Sequence, residues 1–341
     1  MSKHNTHSRG LSHEKVWRPD KNHGYDDYKG ILKSDSYEKF PENVEKFKML
    51  TSVDDITSLR LWKAVAVEIL GTLILVFVGC GSCIQGRQTD SEFAIRLNDT
   101  AIYPSYNYSS TDIVQIALAF GLGVSTVVWI IGHISGGHVN PAVTCAMLIT
   151  RRISLARGFL YIVAQLFGAI AGAGILKFVT PTERQGSLGC TFIGPGVNYA
   201  MCVGVEFCIS FILVLTVFAS CDKRRKDLGG SFPLTIGMSV TMCHLFAVKY
   251  TGSSMNPARS YGPAVVMGMW TDHWVYWVGP ILGGVLAGLL YDVVFASNAS
   301  IEKCRGCLFA RQYNSESYRA KKMKIRILEE EDDYETKEHV R

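Results

Sequence analysis

Two copies of Asn-Pro-Ala, Asn140-Pro141-Ala142 and Asn256-Pro257-Ala258, carry residue types that could act on a passing solute. The first ends a glycine- and histidine-rich turn, GHISGGHVNPAVT, and the second stands in TGSSMNPARSYGPAVV. Asparagine is a favoured helix N-cap, its side-chain oxygen accepting a first-turn N–H. Proline suits the first helical position, where its missing N–H is not needed. Each tripeptide therefore reads as a helix start. With its oxygen used in capping, each Asn keeps its amide N–H₂ donors free. Two such groups facing one narrow passage could both donate to a single water oxygen, leaving it no lone pair for an incoming proton. The positive ends of two helices would repel cations at the same point. This is the chemistry of passing neutral molecules, with no covalent step. One copy alone is equally well an ordinary loop-to-helix turn; the second copy argues for more.

The elements that would position these tripeptides are apolar. A hydrocarbon core of about 30 Å needs about 20 apolar residues of helix. Six stretches come near that length: Leu61–Ile84, Asp112–Ile131, Gly158–Val179, Tyr199–Ser220, Phe232–Val248 and His273–Phe295. Ala142–Ile149 and Ala258–Gly268 are half as long, so they must be re-entrant or buried among other helices. The two tripeptides start 116 positions apart. The same offset carries Gly121 onto Gly237, Gly168 onto Gly284 and Gly172 onto Gly288. Glu68-x-x-x-Thr72 and Glu206-x-x-x-Ser210 match at an offset of 138, the extra 22 residues fitting a long first loop. Each half is thus three spans plus one half-helix. An odd number of crossings inverts the second half, and paired short segments then meet near the midplane. The expected fold is an all-α membrane protein, six transmembrane helices plus two re-entrant half-helices in an inverted repeat (about 61–180 and 199–296). The glycines would let the helices approach closely.

Composition agrees. Of 341 residues, 48% are hydrophobic and 19% charged, and the two classes are segregated. Residues 1–60 and 297–341 are polar tails, the second carrying Glu329, Glu330, Glu331, Asp332 and Asp333, and residues 61–296 hold nearly everything apolar. A soluble core does not segregate this way. The net charge of +5 is scattered, so there is no nucleic-acid footprint. MSKHNTHSRGLSHEK lacks the apolar region of a cleaved signal peptide. Cys80/Cys83 and Cys304/Cys307 each read C-x-x-C without a partner pair at zinc spacing, so no metal or other cofactor is expected. Cys304 and Cys307 are also placed where a lipid could be attached.

Basic residues set the orientation. Arg151, Arg152 and Arg157 follow the second span, Lys223, Arg224, Arg225 and Lys226 follow the fourth, Arg60 and Lys63 flank the first, and Lys303 and Arg305 follow the last. The positive-inside bias puts both tails in the cytoplasm. The first loop, with the sequons at Asn98 and Asn107, then lies outside, as a glycosylated loop must; the sequon at Asn298 lies inside. The expected location is the plasma membrane.

GHISGGHVNPAVT, TGSSMNPARSYGP, Glu68, the repeated glycines and HWVYWVGP resemble the aquaporin family (major intrinsic proteins) over about Leu61 to Phe295. TRRIS and YTGSSMNPARSYGPAVVMG are most similar to its brain-type, water-selective branch. The resemblance implies the aquaporin fold, a homotetramer with one pore per protomer in the lipid bilayer, and water as permeant. It also implies a filter on the outer side of the asparagines, carried onto Phe120, His244, Ser253 and Arg259. An intramembrane Arg is costly unless it lines a wet cavity, which agrees with that role for Arg259. Glycerol channels of the family generally have a small residue at His244 and Asp at Ser260. Many water-selective members carry a mercury-reactive Cys at Ser253, so weak mercury sensitivity is expected, unless Cys145 or Cys243 reaches the pore. Glu68 and Glu206 are expected to bond backbone at the re-entrant loops. Arg151-Arg152-Ile153-Ser154 resembles a basic-directed kinase site at Ser154, though an ordinary positive-inside loop with a surface Ser is the simpler reading. His133 and His138 either line the inner mouth and titrate near neutral pH or hold loop carbonyls. The function expected is a water-selective channel. The alternatives are a channel for glycerol or other small neutral solutes, or a poorly conducting junction or adhesion protein of the same fold.

Overall fold

Among the described residues, six helices are long and apolar enough to cross a membrane, and two are about half that length. The structure, a computed structural model, describes residues 56–84, 110–222, 230–296, 299–300 and 305–306. In chain order the helices are α1 (Leu59–Gly81), α2 (Ser110–Ser135), α3 (Pro141–Ile149), α4 (Leu155–Val179), α5 (Tyr199–Ser220), α6 (Phe232–Thr251), α7 (Pro257–Met267) and α8 (Val275–Leu290). A π-helical turn, Tyr291–Phe295, continues α8. The sequons at Asn98, Asn107 and Asn298, the basic run 223–226, Cys304, Cys307 and most of both polar tails lie outside the described residues.

Local chemistry fixes where these helices begin and end. Ser154 caps α4 by accepting from Arg157 N at 3.2 Å, and Asn198 caps α5 by accepting from Met201 N at 2.9 Å. α6 ends on Gly252 and α7 on Gly268, both in the left-handed region that glycine tolerates without a Cβ penalty. α3 ends on buried Thr150, whose hydroxyl donates back to Ala146 O at 2.8 Å.

The halves interlock. α1 lies on α4, α5 on α8, and α2 crosses α6. Each half-helix leaves its own repeat: α3 packs on α8 and α7 on α4. These contacts are backbone-close. A Cβ at Gly168 would strike the carbonyl of Ile69, and one at Gly283 the carbonyl of Phe207. Ile69 and Phe207 each follow the buried glutamate of their repeat. The structural counterpart of Gly168 is therefore Gly283, at an offset of 115, and not Gly284. Gly284 instead faces the carbonyl of Ala142 in α3. The repeat loses one residue between the half-helix and the third span. Gly121 and Gly237 keep the 116 offset and face each other where α2 crosses α6. At the end of the bundle bearing Arg151, the Arg152 guanidinium bonds Asp292 at 2.6 Å and lies 4.2 Å over the Phe218 ring. That pair ties the α3–α4 turn to the π-helical end of α8.

Candidate functional site

The two tripeptides head the two half-helices, tip to tip. Asn140 (φ −155°, ψ 121°) and Asn256 (φ −150°, ψ 108°) are both extended N-caps. Asn140 Oδ1 accepts from Ala142 N at 2.8 Å, and Asn256 Oδ1 from Ala258 N at 3.0 Å and Arg259 N at 3.3 Å. The tips also bond each other. Asn140 Nδ2 donates to Met255 O at 2.9 Å, and Asn256 Nδ2 to Val139 O at 2.8 Å. This corrects the expectation that each amide keeps both N–H groups free. Val139 and Met255 both have left-handed φ, 43° and 56°, and their buried carbonyls need a donor. Each asparagine supplies one across the joint and retains one.

Two buried carboxylates hold the loops before the tips. Glu68 accepts from Ser135 Oγ at 2.6 Å, His138 N at 2.9 Å, Val139 N at 2.7 Å and Gln165 Nε2 at 2.9 Å. Glu206 accepts from Thr251 Oγ1 at 2.6 Å, Ser254 N at 2.9 Å and Met255 N at 2.9 Å. Ser135 and Thr251, His138 and Ser254, and Val139 and Met255 are all 116 apart. A carboxylate removed from water at this depth is tolerated because every oxygen is met by donors. Tyr161 and Tyr276 complete the pattern, their phenols donating to Ser135 O at 2.9 Å and Thr251 O at 3.0 Å.

A cavity of about 450 Å³ runs beside the joint and is lined by both asparagines. At one end its wall is Phe120, His244 and Arg259; toward the other it includes His133, His138 and Phe232. Arg259 is only 2% exposed, and its Nη1 donates to Gly189 O at 2.6 Å and lies 3.5 Å from Cys80 Sγ. Its guanidinium carbon stands 4.7 Å from the Phe120 ring centre. The Phe120 and His244 rings stack at 4.5 Å and 22°. His244 Nδ1 is 3.0 Å from Val240 O. A carbonyl only accepts, so Nδ1 carries the hydrogen and Nε2 of the neutral ring is an acceptor. Nε2 has no protein partner.

The structure brings Phe120, His244 and Arg259 together on the cavity wall and leaves Ser253 off it. Ser253 is wholly buried in a left-handed turn (φ 54°), its N–H fixed on Thr251 Oγ1 at 3.1 Å. Cys243 also faces away, toward Ile209 O at 3.7 Å, and Cys145 is not on the wall; Cys221 is. His133 and His138 both line the cavity. Ser154 is buried with its hydroxyl oxygen engaged as the α4 cap. Among the described residues, no group of three or more His, Cys, Asp or Glu could hold a metal ion.

Three contributors escape a reading of motifs. Gln165 bonds both Glu68 and Thr144, the latter at 3.0 Å. A glutamine inside an apolar span was the available signal. Gly189 holds Arg259 with its carbonyl, which leaves no trace in residue type. Thr191 bonds Ser260 across 69 positions, and nothing local marks it.

Comparison with known proteins places this architecture. The family model described as MIP, major intrinsic protein, matches residues 55–291. Aquaporin-4 of Mus musculus is 50% identical over 242 residues, covering 71% of this chain and 70% of that one. Aquaporin-4 of Homo sapiens is 49% identical over the same shares. Aquaporin-1 of Canis lupus familiaris is 43% identical over 239 residues, 70% of this chain and 84% of that one. Among solved structures, the aquaglyceroporin from Plasmodium falciparum shares the fold, with TM-score 0.56 and 20% identity, covering 69% of this chain and 97% of that chain. Six apolar helices, two opposed half-helices and a family match across all of them lead to one statement: the chain belongs to the major intrinsic protein family.

Proposed function

We propose that this protein is a water-selective channel, and that water crosses in single file past Asn140 and Asn256. The observation that carries the reading is the convergence of Phe120, His244 and Arg259 on the wall of the asparagine-lined cavity. Each element of that ring has a task. Arg259 cannot lose its charge at any physiological pH, and it repels cations from the cavity wall. His244 Nε2 offers an acceptor, and Phe120 forms an apolar wall. Such a ring passes a molecule that is both small and able to donate and accept.

At the joint, one N–H from each asparagine remains for the cavity. A water accepting both has its two lone pairs filled and cannot relay a proton from its neighbour. The N-terminal ends of α3 and α7 add a positive potential there. The bond from each asparagine to the opposite carbonyl sharpens this design, because it stops the amide from rotating away.

Both tails and the loop carrying Arg151 and Arg152 are taken as cytoplasmic, on the charge bias of the sequence. On that orientation Asn98 and Asn107 are extracellular and available for glycans. The protein is assigned to the plasma membrane as a homotetramer with one pore per protomer. Exposed apolar side chains such as Phe159, Phe167 and Phe178 on α4 are then covered by lipid or a neighbouring copy. A kinase could reach Ser154 only after the first turn of α4 opened.

The test is stopped-flow light scattering of vesicles containing the purified full chain. Osmotic water permeability should exceed that of protein-free vesicles several-fold, with glycerol permeability at the protein-free level. Glycerol flux rivalling water flux would remove the narrow-ring claim. Background water flux from folded protein would favour a non-conducting role.

A further inference from the structure

We infer that Thr191, in the loop between α4 and α5, is a positioning residue for the selectivity ring, acting on Arg259 through a directed chain of hydroxyls. The inference rests on the reading of Phe120, His244 and Arg259 as that ring.

Thr191 is buried, and its Oγ1 donates to Ser260 Oγ at 2.9 Å. Ser260 Oγ is 2.6 Å from Ser254 Oγ, which in turn donates to Asn256 O at 3.1 Å. Each hydroxyl has one hydrogen to give. A carbonyl only accepts, so the Ser254 hydrogen points at Asn256 O. Ser260 must then supply the hydrogen to Ser254, and Thr191 must supply the hydrogen to Ser260. The polarity Thr191 to Ser260 to Ser254 to Asn256 O is therefore fixed from its far end. Aligned bonds of this kind strengthen one another in a dry interior.

This chain pins the outer loop onto the turn that carries Arg259. Two residues before Thr191, Gly189 gives its carbonyl to Arg259 Nη1 at 2.6 Å. Gly189 has φ +74°, and a Cβ there would stand 2.8 Å from Cys80 Cβ. It sits hard against the end of α1, so it cannot follow Arg259 by itself. On its other side, Gln185 Nε2 holds the loop to the end of α4 through Lys177 O and Thr180 O, each at 3.0 Å. Loss of the Thr191 hydroxyl removes one hydrogen-bonded anchor of the 185–191 segment, leaving Gln185 and the contact of Gly189 with Cys80. The Gly189 carbonyl then tilts about its contact with Cys80, the guanidinium loses the bond to Gly189 O, and the ring widens.

The experiment uses vesicles with the full chain and reads the ratio of glycerol to water permeability. Thr191→Val keeps shape and removes the hydroxyl. It should raise the ratio about fivefold, the effect of one neutral hydrogen bond. Thr191→Ser should restore the wild-type ratio. Ser260→Ala breaks the same chain from the other side and should move the ratio in the same direction, which keeps the inference testable should Thr191→Val fail to fold. Arg259→Val is measured alongside. A wild-type ratio in folded Thr191→Val or Ser260→Ala, while Arg259→Val raises it, overturns the inference and leaves the ring intact. A Thr191→Ser channel as leaky as Thr191→Val also overturns it, since shape and not the hydroxyl would then matter. An unchanged ratio in Arg259→Val removes the ring, and the inference falls with it.

Discussion

The two repeats build the same joint and line it with opposite chemistry. At the 116-residue offset, Phe120, His244 and Arg259 correspond to Ile236, Val128 and Val143. All six line the cavity. One repeat thus contributes an arginine at the position after Asn-Pro-Ala and the other a valine, on half-helices with the same cap and the same cross-joint bond. The difference teaches that the scaffold and the selectivity are separable. The scaffold needs both glutamates and both asparagines. Discrimination needs polar groups at one end of the lumen only, and a second charged ring would add a second desolvation barrier for water.

The largest expected effect lies in that contrast. Replacing Arg259 by Val together with His244 by Ala should raise the glycerol-to-water permeability ratio about tenfold to a hundredfold, from the loss of a charged donor. Val128→Ala with Val143→Ala, at the mirror positions, should change the ratio less than about twofold, as expected where no hydrogen bond is lost. Equal effects at the two ends would break the comparison.

Next in size are changes to the shared scaffold. Glu68→Gln and Glu206→Gln each turn an acceptor oxygen into an N–H₂ group facing buried donors. Each should destabilise the folded protein by about 1–3 kcal/mol per donor left unpaired. Glu68→Gln should be the worse, because four donors converge on Glu68 and three on Glu206. Thermal unfolding in detergent gives the order. Asn140→Ala and Asn256→Ala should cost similar amounts, about 1–2 kcal/mol for the lost cap. Each also removes one bond across the joint. A large inequality would mean the tips are not equivalent.

The braces behind the tips differ more than the tips themselves, and this is where the sequence was least legible. Helix positions follow from hydropathy and caps, so the spans could be placed within a few residues. The opposed tips follow from two tripeptides at one offset. Which side chains steady them does not follow, because the partners are distant and of ordinary type. Thr144 and Ser260 are 116 apart, and so are their partners His138 and Ser254, at 3.1 Å and 2.6 Å. The third member of each cluster breaks the repeat: Gln165 comes from within α4, whereas Thr191 comes from a loop. At the 115 offset the counterpart of Gln165 is Pro280, which has no donor. The cross-joint bonds of the asparagines were hidden for the same reason. A backbone carbonyl as acceptor has no signature in residue type.

Gln165→Leu sharpens this point. It leaves Glu68 and Thr144 one donor short and should cost about 1 kcal/mol, read by the same thermal unfolding. The smallest effect concerns the loop beside Thr191. Burial pushes the Cys190 thiol up to about 12, so at pH 8 it is neutral. Its alkylation by iodoacetamide, followed by mass spectrometry, should be much slower in the folded than in the unfolded chain, and should quicken as pH rises toward that value.

The central claim is that one N–H from each of Asn140 and Asn256, with Arg259 beyond them, passes water and stops protons. Its most direct test measures osmotic water flux and proton flux on the same vesicles carrying the purified channel. The account predicts water permeability several-fold above protein-free vesicles, with a pH gradient that decays no faster than in those vesicles. A pH gradient that collapses in step with the water flux would contradict it.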